Sequence, residues 1–113
     1  MRIYKLIAAS EWDAARTKGI FLGVGVDLAD GYIHFSTAEQ AQETARLHFA
    51  GRSDLVILEV EADHLGPSLT WEPSRGGQLF PHLYDELDCG HVLSWRLIDL
   101  DGDDVPDLGE LLP

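Results

Sequence analysis

Residues 71–87, WEPSRGGQLFPHLYDEL, bring an acid, a cation, an imidazole and several rings into one short stretch. The carboxylate of Glu72 could stabilise developing positive charge or move a proton, and so could the imidazole of His82. Arg75 could grip a phosphate. Phe80 and Tyr84 could stack on a planar ligand. Gly76 and Gly77 allow close backbone approach or a positive φ. Together these residues read as a ligand-binding loop rather than a linker. The alternative is a packed surface loop whose rings merely cover the core.

A second group lies at Tyr32-Ile33-His34-Phe35-Ser36, which reads as a short strand. Alternation puts Tyr32, His34 and Ser36 on one face and Ile33 and Phe35 on the other. The polar face could meet water, or it could offer donors and acceptors to a ligand. Thr37 follows as a helix cap. The free N–H groups of that helix end could attract an anion, although every helix needs a cap. None of His34, His48, His64, His82 and His91 has an i, i+4 histidine partner, and Cys89 has no CxxC mate, so no metal is expected. His34, His82 and His91 could still converge in space. His48 and His64 read as bland. Gly23-Val24-Gly25 lacks the strand and helix context of a phosphate loop.

These candidates need elements to hold them. Arg2 to Ile7 alternates as a strand. Ser10 caps a helix, with Asp13 reciprocating and Gly19 ending it. Phe21 to Asp27 is a loop or a bulged strand, and Asp30-Gly31 is a turn. Thr37 with Gln40 forms a capping box for a helix carrying Ala38, Ala41, Ala45 and Phe49, ended by Gly51. Leu55 to Val60 is near-continuously apolar, as a central strand should be. Leu69 to Glu72 is a strand stopped by Pro73. Phe80 begins an irregular stretch, and His91 to Leu100 is a long last strand. Trp71 and Trp95 read as core. The order of strands and helices is an α+β pattern.

The 113 residues fit one domain with an acidic, solvated tail at about 101–113. The formal net charge of -12 repels phosphate backbones, so long nucleic acid is disfavoured as a partner. A lone cation such as Arg75 in so acidic a chain is a better anion-site candidate than one of many. No apolar run approaches the ~20 residues of a membrane span, and the N-terminus reads as a strand rather than a signal. The single cysteine allows no internal disulfide, so the default location is the reducing cytoplasm.

The stretches DGYIHFSTAEQAQETA, LVILEVEADHLG and WEPSRGGQLFPHLY resemble a family of small bacterial proteins known as domain of unknown function 952. The matching positions are Tyr4-Lys5, Trp12, Asp30 to Thr37, Glu72, Gly76-Gly77 and Phe80 to Tyr84. Tyr32 and Phe35 replace the family's Phe and Leu, and Asp85 stands where Gly is frequent. The resemblance covers about residues 2–99. It implies an ADP-ribosyltransferase-like fold: a split, bent β-sheet around a cleft, with two main helices. By that analogy His34 contacts ribose, Glu72 or His82 is the acid-base group, Arg75 holds phosphate, and Phe80 or Tyr84 stacks on nicotinamide, with NAD as substrate. One departure is that His91 to Leu100 offers Asp99 but no glutamate for transfer.

Three functions are compatible with these residues. The first is an NAD-dependent ADP-ribosyl transferase or NAD hydrolase. The second is a binding module for a small anionic or nucleotide-type ligand, without turnover. The third is a protein-interaction domain using the exposed rings, with a basic partner favoured by the surrounding acid. The protein acceptor or partner stays open.

Overall fold

The computed structural model describes Met1–Pro113. Its elements run β1 (Arg2–Ala8), α1 (Ala9–Lys18), β2 (Ile20–Phe21), α2 (Val26–Asp30), β3 (Ile33–His34), β4 (Ser36–Thr37), α3 (Ala38–His48), β5 (Leu55–Glu61), β6 (Leu69–Pro73), β7 (Leu79–Leu83), β8 (Leu87–Asp88) and β9 (Val92–Leu97). This is an α+β arrangement with antiparallel pairing throughout. One sheet has the order β4-β1-β5-β9, a second β3-β7-β6, and β2 pairs with β8 alone. No helix is long and apolar enough to cross a membrane.

β5 lies between β1 and β9, and its apolar run is explained by cover on both faces. On one face Ile3, Ile7, Val56, Leu58 and Val60 pack with Trp12 and Phe21. On the other, Tyr4, Leu6, Leu55 and Ile57 pack beneath Ala41 and Ala45 of α3. Each such aliphatic side chain contributes about 1.5–3 kcal/mol by leaving water. The strand period puts Lys5 on the same face as Ile3 and Ile7, so its ammonium is carried inward. β4 pairs with β1 only at Ile3 and Tyr4. From Lys5 onward that edge of β1 has no strand beside it, and the gap becomes the cavity described below.

The Thr37–Gln40 capping box forms as expected, with Gln40 N–H donating to Thr37 Oγ1 at 3.3 Å and Thr37 N–H to Gln40 Oε1 at 3.1 Å. Gly19 closes α1 at φ 85°. Other expectations change. α1 begins before Ser10, because β1 pairs through Ala8 and feeds the helix directly; Glu11, not Asp13, reaches back to the Ala8 N–H at 2.9 Å. Phe21 to Asp27 contains β2 and the start of a third helix, α2, closed by Gly31 at φ 85°. α3 ends at Phe49 rather than Gly51. The last strand spans only Val92–Leu97.

Three corrections bear on the site. The strand expected over 32–36 divides at Phe35: β3 joins β7, whereas β4 joins β1. The stretch from Phe80 is not irregular but is β7, the middle strand of its sheet. Pro81 is tolerated there because the β3 ladder stops at His34↔His82; Phe35 N–H still donates to the Pro81 carbonyl at 3.0 Å, and no return bond is required. Trp71 and Trp95 are 37% and 42% exposed, not core, because they sit on edge strands. The acidic tail is not fully solvated either. Leu108 and Pro106 are buried, and Tyr4 Oη donates to the Leu112 carbonyl at 2.6 Å.

Candidate functional site

Antiparallel register sets His34 directly opposite His82. A facing pair projects its side chains to the same side of the sheet. The two rings lie 5.3 Å apart between centroids, edge to face. Tyr32 packs over both, at 4.5 Å from His34 and 4.1 Å from His82, and reaches Tyr84 at 5.0 Å. Residues far apart in sequence thus form one pile of rings.

Each imidazole is held by carboxylates. Glu72 of β6 lies diagonally across from His82, and its Oε1 meets His82 Nδ1 at 2.8 Å. Tyr84 Oη donates to the same oxygen at 2.7 Å. The hydrogen bonds from Tyr84 and His82 lower the Glu72 pKa, and Glu72 in turn pushes the Tyr84 phenol up to about 12. His82 itself is buried, with no protein partner on Nε2. His34 is saturated: Nδ1 lies 2.7 Å from Asp27 Oδ1 and Nε2 lies 2.9 Å from Asp30 Oδ2.

Asp27 organises the other side of the site. It is 3% exposed. Its oxygens accept from Lys5 Nζ at 3.0 and 3.1 Å, His34 N–H at 3.0 Å and Val24 N–H at 3.1 Å, besides the His34 ring. Burial alone would raise its pKa, but the His34 ring, the Lys5 charge and the two backbone N–H groups outweigh that and hold it at about 2. Burial lowers the Lys5 pKa, against the pull of Asp27. Lys5 Nζ also donates to the His34 carbonyl at 2.8 Å, tying β1 to β3. Gly23 is required beside this carboxylate. Its φ is +105°, and a Cβ there would sit 2.8 Å from Asp27 Cβ.

These groups border a cavity of about 540 Å³ at the open edge of β1. That volume suits a small organic ligand. Of the residues singled out in the sequence, His34, Ser36, Arg75, Phe80 and His82 line it. Arg75 lies with its guanidinium 5.1 Å from the centre of the Phe80 ring, and donates to Thr44 Oγ1 at 3.2 Å and the Gln40 carbonyl at 3.5 Å. No carboxylate is within ion-pair distance of it. Tyr32, Glu72 and Tyr84 stand behind the two histidines rather than on the cavity wall. Thr37 caps α3, and Gly76 and Gly77 make the exposed turn before β7 at φ +67° and +77°. His91 does not converge with the others; its ring is 6.5 Å from that of His64.

Asp27 and Thr44 are absent from the sequence-based candidates; Lys5 and Asp30 fall on the family-like positions without a site role assigned, and His48, read as bland, lines the cavity. A lysine on the apolar face of a strand was the available signal for Lys5. Asp30 opens the family-like DGYIHFST stretch, whereas Asp27 carries no signal, lying in a glycine-rich stretch whose helix is only five residues long.

A model of the family described as protein of unknown function (DUF952) matches residues 6–95. The crystal structure of protein CC0527 from Caulobacter crescentus is similar, with 54% identity over 96% of this chain and 95% of that one, and a TM-score of 0.94. The solution NMR structure of CC0527 is 55% identical over 96% of this chain and 93% of that one, with a TM-score of 0.87. Comparison with curated proteins finds no match. On the matched span and the likeness to CC0527, the chain belongs to the DUF952 family.

Proposed function

We propose that the cavity binds a nucleotide-type anionic ligand and that His82 performs proton transfer on it, with cleavage of the nicotinamide–ribose bond of NAD as the reaction the residues suit best. The observation that carries this reading is the facing His34–His82 pair, on the wall of one cavity with an arginine that makes no ion pair. In the reaction, the ribose–nitrogen bond breaks and its electron pair returns to the nicotinamide ring, cancelling the ring's charge. Water forms the new bond to the ribose carbon and gives its proton to His82 Nε2. Glu72, on Nδ1, holds the ring orientation and stabilises the resulting imidazolium, so it acts through His82 rather than on substrate. Arg75 holds phosphate, and Phe80 beneath it offers an apolar face. An ADP-ribosyltransferase-like arrangement agrees with the open edge of β1 and with this division of labour; that is analogy of fold, not of site.

The test is incubation of purified protein with NAD, with chromatography of released nicotinamide. The expected result is release, lost in His82→Asn. A panel of NAD, ADP-ribose and adenosine monophosphate should raise the melting temperature, and Arg75→Ala should remove the gain. No release and no shift at high protein concentration overturns the proposal. Binding without turnover is the second reading. It is favoured by the saturation of both His34 nitrogens and by the position of Glu72 off the cavity wall. A thermal shift without nicotinamide release selects it.

A further inference from the structure

The chain carries 20 acidic and only 8 Lys or Arg residues. The cavity inverts that proportion. Lys5, Arg52 and Arg75 line it, against Glu11 and Asp27 alone among the acids. Lys5 is neutralised by Asp27, and Glu11 is engaged by the Ala8 N–H. Glu11 keeps its charge, and two arginines remain: Arg75, in no ion pair, and Arg52, paired only loosely at the surface. They are not neighbours. Ala41, Thr44 and His48 share one face of α3 and form one wall of the cavity. Arg75 is anchored near the start of that face, at Gln40 and Thr44. Arg52 follows the end of it, with its guanidinium 5.5 Å from the centre of the Phe49 ring and its nearest carboxylate, Asp54, 3.9 Å away. At 1.5 Å per residue the two anchor points lie roughly 10 Å apart along the helix axis. His48 adds an imidazole at the Arg52 end.

We infer that the ligand carries two separated anionic groups, one for Arg75 with the Thr44 and Ser36 hydroxyls and one for Arg52 with His48, so that the site selects a nucleotide phosphorylated at both ends of its ribose over a monophosphate. This rests on the nucleotide reading above and narrows it. A single phosphate can satisfy one arginine. The second arginine then has only the exposed Asp54 carboxylate, 3.9 Å away, beside it. A second phosphate on the same ribose gains a charge-assisted contact at the cost of little further ordering.

The experiment is titration calorimetry at low salt with adenosine monophosphate and with adenosine bisphosphates, on the wild type, Arg52→Ala and Arg75→Ala. The bisphosphate should bind at least tenfold more tightly than the monophosphate to the wild type. Arg52→Ala should reduce that preference to about twofold by weakening the bisphosphate more than the monophosphate; Arg75→Ala should weaken both nucleotides. Arg52 is exposed, so its replacement leaves the fold intact, which a thermal melt checks; Arg75→Lys is the second variant should Arg75→Ala unfold. Equal affinity for the two nucleotides, or an Arg52→Ala effect shared equally by both, overturns the inference while the nucleotide reading stands. If neither nucleotide binds, the nucleotide reading falls and takes this inference with it.

Discussion

Replacing Asp27 by alanine should do more damage than replacing any other polar residue in the site. The carboxylate is buried and takes hydrogen bonds from Lys5, from the His34 ring and from the backbone N–H groups of His34 and Val24. Its removal strands the Lys5 ammonium in the interior, which costs about 3–5 kcal/mol, and orphans two N–H groups besides. These terms overlap, so a loss of at least about 4 kcal/mol is expected, out of the ~5–15 kcal/mol of a typical domain. With ~2.1 cal/mol/K of unfolding entropy per residue over 113 residues, the melting temperature should fall by about 17 °C. Lys5→Met provides the contrast. It leaves Asp27 with three donors and fills the space beside Phe21 with an apolar chain, so about 1–2 kcal/mol should be lost. Urea unfolding followed by tryptophan fluorescence measures both, at an unchanged slope. If Asp27→Ala costs under about 1.5 kcal/mol, or Lys5→Met costs as much as Asp27→Ala, the account of Asp27 as organiser of the site is wrong.

Because the Asp27 pKa is depressed from 3.8 to about 2, its contribution is present above about pH 4 and is lost as the pH falls towards 2. Wild type should therefore lose about 2 kcal/mol across that interval that Asp27→Asn does not, read by urea melts at each pH. Gly23→Ala combines a positive φ with a Cβ contact of 2.8 Å and should cost about 2–4 kcal/mol, whereas Gly51→Ala, with positive φ but open space, should cost about 1–2 kcal/mol; matched thermal melts separate them. Glu72→Gln should move the Tyr84 titration from about 12 back towards 10, seen by ultraviolet difference absorbance, and an unchanged phenol would refute the Tyr84–Glu72 bond.

The elements whose causes are local were legible in the sequence. The Thr37–Gln40 box and the Gly19 stop needed only neighbouring residues, and the apolar run of β5 reported its own burial. Strands whose causes are distant were not. β7 was hidden by Pro81, which fits only because β3 departs at that point. Trp71 and Trp95 were misjudged because residue type announces hydrophobicity but not position at a sheet edge. In the site, His34 and His82 could each be named, but their contact is a matter of register. The Lys5–Asp27 pair is not legible because it joins a strand to a five-residue helix: Lys5 stands out on an apolar strand face, but nothing marks Asp27 as its partner.

The division of one extended segment at Phe35 has a mechanical consequence. His34 travels with the three-stranded sheet and Ser36 with the four-stranded one, so a single buried phenyl residue acts as the stitch between two plates. Any tilt of one plate against the other changes the distance from the imidazole pair to the hydroxyls on the opposite wall. A molecule gripping both walls would resist that tilt, and trimming Phe35 would slacken the seam without touching a single polar contact of the site.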